Sequence, residues 1–171
     1  RSNDDGNWGA FKFLVPWKYQ RYVVKHEGFF NLLCKDLLAA CRAGRHILML
    51  GDRIEHLERL AEFLRGQGFS AECVSAETKR ATRRDVFARC QAIFATRSLA
   101  GKALDIQRLD TLFMLTPFDD AGTLRQASNR IGRDMKSEME PLVIVYEHAT
   151  RSLARKALEM RVHVMDNDHG A

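Results

Sequence analysis

Two arginines three positions apart, Arg130 and Arg133, stand out in the run Gln126-Ala127-Ser128-Asn129-Arg130-Ile131-Gly132-Arg133. On a helical turn residues at that spacing point the same way. A guanidinium keeps its charge and donates through a fixed fork, which suits it to phosphate oxygens. Phosphoryl transfer builds charge on the transferred group, and such a fork can stabilise it. An exposed pair at a helix C-terminus, favoured there by the macrodipole, is the plainer reading of the same residues. Upstream, Ala92 to Ile106 reads AIFATRSLAGKALDI, an apolar run ending in Thr96 and followed by a loop with Asp105. A hydroxyl at a strand tip can donate to a backbone phosphate and position a nucleic acid without reading its bases. Equally, Thr96 could cap the next turn, and Asp105 could be a turn former.

Other chemistries find little support. No G-x-x-x-x-G-K-[ST] loop occurs, because Gly101-Lys102 is followed by Ala103. No acidic D-E-x-[DH] strand end is present to hold Mg²⁺. Without a phosphate cradle and a metal ligand, the chain is not expected to hydrolyse ATP by itself. The six histidines show no metal-binding spacing, and no G-x-S-x-G elbow exists. His46, His56 and His148 read as surface residues of strands or helices. Cys34, Cys41, Cys73 and Cys90 form no C-x-x-C pair and sit among apolar residues, so buried free thiols are expected.

The elements that must position these residues alternate. Phe30, Leu33, Cys34, Leu37, Leu38 and Cys41 recur at helical spacing, with Gly44 as a stop signal. His46 to Leu50 is a short apolar run, as in a strand buried on both faces. Ile54, Leu57, Leu60, Ala61 and Leu64 make the inner face of a second helix, ended by Gly66 and Gly68. Strands are expected at Ala71 to Val74, Ala92 to Thr96, Thr111 to Leu115 and Leu142 to Tyr146, with a basic helix over Lys79 to Arg89. Phe11 to Val15 reads as a further strand, and Gly122 to Ile131 and Ser152 to Met160 as helices. The expected fold is an α/β, three-layer domain, its mainly parallel sheet covered by helices on both faces. Residues 1–10 read as a linker or frayed end, residues 11–160 as one domain and residues 161–171 as a tail. Ligands of such sheets bind at the carboxyl ends of the strands, which singles out the loops at Gly51 to Arg53, Ser75 to Thr78, Arg97 to Ile106 and Pro117 to Gly122.

The chain has 171 residues, of which 46% are hydrophobic and 29% charged, the balance of a globular domain rather than a disordered one. A formal net charge of +5 and a pI near 9.2 favour a polyanionic partner. No apolar run approaches the roughly 18 residues of a membrane span, and no secretory signal opens the chain. A cytoplasmic address without membrane attachment is therefore expected. The first residue, Arg1, is not Met, which reads as a fragment or an excised domain.

Together these segments resemble the C-terminal RecA-like domain of superfamily 2 helicases. The octapeptide resembles Q-x-x-G-R-x-G-R with Asn129 at a usual Gly, and Ala92 to Ile106 resembles A-T-x-x-x-x-x-G-L-D-I with Ala103 at a usual Gly. His46 to Leu64 resembles the strand-turn-helix that opens the second motor domain. The Ser98-Leu99-Ala100 loop and the Arg108 to Leu112 phrase (RLDTL) resemble the phage and large-DNA-virus members. The likeness covers roughly residues 44–147. It implies that Arg130 and Arg133 serve phosphoryl transfer, that Asp105 and Gln126 lie on the nucleotide side of the cleft, and that Arg53, Thr96 and Arg97 contact nucleic acid. ATP and Mg²⁺ would be bound mainly by an N-terminal RecA-like partner domain carrying the phosphate-binding loop. DNA is favoured over RNA. Lys102 stands where relatives often carry an acid, and the two replaced glycines remove freedom for positive φ and close backbone approach. Two rival readings are a RecA-like module that binds nucleic acid or protein without catalysis, and an S-adenosylmethionine methyltransferase using Gly51.

Overall fold

A computed structural model describes residues 25–99, 106, 108–115, 131 and 139–146. The first helix, α1 (Glu27–Arg42), is started by His26, whose Nδ1 accepts from the Phe29 amide at 3.0 Å. Phe29, Leu33, Leu37 and Cys41 follow one another at i+4, and all are buried. The expected stripe began instead at Phe30, which is only half-buried. The chain then turns at Gly44, whose φ of +79° is the left-handed conformation that closes a helix and favours glycine.

Then come β1 (Ile47–Gly51), α2 (Ile54–Gly66), β2 (Ala71–Val74), α3 (Arg80–Arg89), β3 (Ala92–Thr96), a 3₁₀ turn (Arg97–Leu99), β4 (Thr111–Met114) and β5 (Leu142–Val145). The five strands form one sheet in the order β2-β3-β1-β4-β5. Every pairing is parallel, with Ile47 beside both Ala92 and Thr111. The sheet described is thus wholly rather than mainly parallel, as β-α-β crossovers require.

Side chains alternate across the sheet. Ile47, Met49, Phe94, Phe113 and Leu115 face α1 and α2 in one buried cluster. Leu48, Leu50, Ile93, Ala95, Leu112 and Met114 face Val86 of α3, Leu99, Leu109 and Ile131 in the other. Three layers result, with buried side chains on both sheet faces. Cys34, Cys41 and Cys90 are buried as expected, while Cys73 is intermediate. Burial pushes the thiols of Cys34 and Cys41 up to about 11 and that of Cys73 up to about 12, so they stay protonated. The expected strand at Phe11 to Val15, the helices at Gly122 to Ile131 (Ile131 apart) and Ser152 to Met160, the linker and the tail lie outside the described residues.

Two residues of α2 depart from the expected pattern. Ile54, placed on the inner face, is 43% exposed because it is the first helical residue, at the rim. His56, expected on the surface, is 2% exposed. It sits on the α1 side near the Phe30 ring, 6.1 Å between centroids, and its Nε2 has no hydrogen-bond partner among the described residues. The Arg59 guanidinium lies 4.2 Å over Phe30, a cation–π contact. The helix is packed over a wider arc than its apolar stripe marks.

The edge of the sheet at the strand N-termini is locked by polar side chains. Asp110 is fully buried, and its carboxylate accepts from the His46 amide at 3.2 Å and from Thr111 Oγ1 at 2.7 Å, with Arg45 Nη1 at 3.7 Å. Arg45 also donates to the Glu140 carbonyl at 3.0 Å. Arg108 donates to the carbonyls of Phe87 and Cys90, at 2.9 and 2.6 Å, closing the end of α3. Gln91 Nε2 donates to the carbonyls of Cys41 and Arg45. In the RLDTL phrase, therefore, the polar side chains hold backbone together.

Asp110→Ala is expected to lower stability by roughly 2–4 kcal/mol, since it strands a buried amide, a hydroxyl and a half-buried guanidinium; an unchanged urea midpoint would remove the lock. His56 gives a second expectation. Burial, helped by the Arg59 charge, lowers its pKa from 6.5 to about 4. The unfolded chain then takes the proton first, so stability is complete above about pH 6.5 and declines as pH falls toward 4, by about 3 kcal/mol at most. His56→Leu should flatten that decline in urea titrations compared at pH 7 and pH 4.5.

Candidate nucleic-acid interface

All five strands run the same way, so their carboxyl ends share one rim. The register sets Gly51 at the end of β1 directly beside Thr96 at the end of β3. The sharp turn after β1 carries Asp52 and Arg53, and the turn after β3 carries Arg97 and Ser98. Three of the seven expected site residues, Arg53, Thr96 and Arg97, are therefore described, and all three stand on this rim. Asp105, Gln126, Arg130 and Arg133 lie outside the described residues, as do Ala103 and Asn129.

Gly51 explains how tightly the rim is built. A Cβ there would meet Leu115 Cδ1 at 3.0 Å and Leu57 Cδ2 at 3.1 Å. The glycine lets the first turn of α2 and the end of β4 close over the tip of β1. The space a methyltransferase would need beside this glycine is filled by two leucines, which weighs against that rival.

Thr96 is half-buried and shares a 2.9 Å hydrogen bond with the Ser98 hydroxyl. Whichever hydroxyl accepts in that bond keeps its own O–H to donate to an oxygen above the rim. Arg97 donates through Nε to the Asp52 carboxylate, an ion pair linking the β1 and β3 turns. The side chains are 28% and 17% exposed, so the pair is less screened than a surface bridge. Sequence reasoning expects Arg97 to contact nucleic acid and makes Asp52 a weaker candidate than Arg53, but does not pair the two. The two are 45 positions apart, and only the parallel register brings them together.

Arg53 precedes α2 in an extended conformation (φ −112°) and makes no side-chain capping bond. It is exposed and forms no ion pair among the described residues. On the next turn, Ser75 N donates to Thr78 Oγ1 at 2.9 Å and Thr78 N to the Ser75 carbonyl at 3.1 Å. The rim thus combines fixed hydroxyls, one cation tied to an acid and one cation facing solvent. Such a surface suits the oxygens of a sugar–phosphate chain. Among the described residues no three of His, Cys, Asp and Glu group to hold a metal ion, and Asp52 is engaged by Arg97.

Ile131, between Arg130 and Arg133 in sequence, is 4% exposed and belongs to the same buried cluster as Leu99 of the 3₁₀ turn. Among the described residues no helix is long and apolar enough to cross a membrane.

The fold recurs in solved structures. The helicase domain of Hef from Pyrococcus furiosus superposes with a TM-score of 0.58 at 17% identity, covering 76% of this chain and 28% of that one. The C-terminal domain of the DEAD-box protein Dbp5 gives 0.59 at 13% identity, over 83% and 79% of the two chains. Helicase Lhr from Mycobacterium smegmatis, bound to single-stranded DNA and AMP-PNP, gives 0.65 at 14% identity, over 82% of this chain and 19% of that one. The chain thus spans about a quarter of the Hef helicase domain and a fifth of Lhr. These likenesses carry the RecA-like fold. No curated protein sequence matches the chain significantly. The helicase conserved C-terminal domain family matches residues 30–135, more than half of the chain, and the chain belongs to that family.

Proposed function

We propose that the chain is the second motor domain of an ATP-dependent nucleic-acid helicase or translocase. The observation that carries the reading is the shared rim: Thr96, Arg53 and the Asp52–Arg97 pair come from two turns that the β1–β3 register sets side by side. Those groups grip backbone phosphates by charge and hydroxyl donation. Arg130 and Arg133 act in trans on the phosphates of a nucleotide held by a partner domain, with Asp105 and Gln126 on the same side of the cleft. ATP and Mg²⁺ would be held mainly by that partner, and bound ATP would supply the phosphoryl group that drives domain closure. Opening after hydrolysis releases the grip on the strand. The burial of Ile131, which stands between Arg130 and Arg133 in sequence, in the cluster on the sheet that carries Thr96 supports this assignment.

The finer placement is with the phage and large-DNA-virus helicases, and with DNA rather than RNA. Support for the viral type comes from the likeness of the Ser98-Leu99-Ala100 loop and of the Arg108 to Leu112 phrase to those members. A RecA-like module that binds without turnover is the alternative, and Asn129 and Ala103 are what favours it. Residues 11–160 would form the domain, in the cytoplasm.

Joined to a domain with a phosphate-binding loop, Arg133→Ala is expected to cut ATP turnover by about 10³-fold or more with single-strand binding nearly intact. Equal turnover by variant and parent would take Arg133 out of the reaction. For the rim, Arg53→Ala should weaken single-stranded DNA binding and reduce the slope of log K against log salt by about 0.7. Asp52→Asn takes a negative charge off the same surface and should bind more tightly. Fluorescence anisotropy across a salt series measures both, and movement in the same direction would sink the assigned rim charges.

A further inference from the structure

Helix α3 is unusual in its charge. Its ten residues hold four arginines against one aspartate, and that aspartate, Asp85, is bound by Arg89 at 2.6 Å. Arg80, Arg83 and Arg84 form no ion pair among the described residues. They lie at i, i+3 and i+4, with Phe87 at i+7, so the four share one face. Like charges at that spacing repel, and Lys79 and Arg80 place further positive charge at the helix's positive end. No acidic residue occupies the first turn, and the N-cap makes no side-chain bond. On its own this arrangement disfavours the helix, and an anion along the face would reverse that.

The same four residues line a cavity of about 240 Å³. That is below the roughly 300–1,000 Å³ typical of small-molecule sites, yet it has room for a planar ring. Its apolar wall is well held. Phe87 packs against the second core cluster, and its carbonyl accepts from Arg108. Only Val86 of α3 is buried, so the arginines remain outside. Because α3 links the carboxyl end of β2 to the start of β3, Arg80 lies toward the rim and Phe87 two turns down the flank.

We infer that this arginine face with its Phe87 floor is a second contact for single-stranded nucleic acid, taking the stretch of strand that leaves the rim. Arg83 and Arg84 meet its phosphates, and Phe87 stacks a base. The inference rests on the proposed grip of the rim. Charge and shape together favour this occupant: phosphates at regular spacing answer a row of guanidinium groups, and every base offers a flat face to an aromatic ring. An acidic protein segment would satisfy the charges but has no such claim on the ring.

The test is anisotropy on the whole chain with single-stranded DNA of roughly 6 and roughly 16 nucleotides, with a thermal melt of each variant as folding control. Arg83→Ala with Arg84→Ala should weaken the long strand and lower its salt slope by about 1.4, two contacts at about 0.7 each, leaving the short strand unaffected. Arg83→Lys with Arg84→Lys should restore the slope. Phe87→Leu should weaken the long strand about fivefold or more with no change of slope, a split that a merely structural role would not produce. If the double variant binds long strands like the parent while Arg53→Ala weakens both lengths, the inference falls and the rim reading stands. If Arg53→Ala is also without effect, both fall. Loss of polyglutamate binding with DNA binding retained would assign the face to an acidic protein and overturn the inference.

Discussion

The parallel register of β1 between β3 and β4 is the constraint on which the rest depends. Parallel strands need long crossovers, so each connection carries the chain from the carboxyl end of one strand across a face to the start of the next. Every tip therefore lies on one rim, and Gly51 comes to stand beside Thr96. A one-residue slip would exchange the two buried faces of a strand, turning Met49 away from α1 and α2, and Leu50 toward them. Neither face would tolerate it, because both are lined by fully buried side chains.

The two edges of the sheet use their polar groups in opposite ways. At the strand N-termini, Asp110, Arg45, Arg108 and Gln91 spend their bonding capacity on backbone groups of neighbouring elements. At the carboxyl rim, the hydroxyls of Thr96 and Ser98 bond each other across a short turn, and Arg53 projects into solvent. Low dielectric makes buried polar groups costly unless satisfied, so the inner edge is a lock. The outer rim borders water and can exchange water for a ligand's oxygens. The Asp52–Arg97 pair lies between these cases, half-buried and bridging two turns. It stiffens the rim and tempers its charge.

Packing around the rim is close where the chain reverses. Leu57 and Leu115 occupy the space beside Gly51, so α2 leaves β1 without a loop that could cradle a cofactor. At the β5 end of the same rim stands Tyr146, whose hydroxyl donates to Asp36 of α1 at 2.8 Å and whose ring stacks near Phe113. Burial and the Asp36 carboxylate both push that phenol well above its ordinary range. Both flanks of the rim thus rest on a rigid three-layer body, the support that a strand-gripping surface needs.

Local pattern alone determined the elements. Apolar runs of strand length, helical spacing on α1 and α2, and Gly44 as a stop are all written in neighbouring residues, because periodicity and backbone freedom are local properties. The type and order of residues around Thr96 and Arg130 also marked the family. Tertiary structure decided the partners. Asp52 meets Arg97 across 45 positions, Asp110 meets His46 across 64, and Arg108 reaches back to Phe87. His56 shows the same limit from the other side: a polar residue in a helix reads as surface until a second helix covers it. Ion pairs and burial depend on which distant segments the sheet order brings together, and that order is a property of the whole fold.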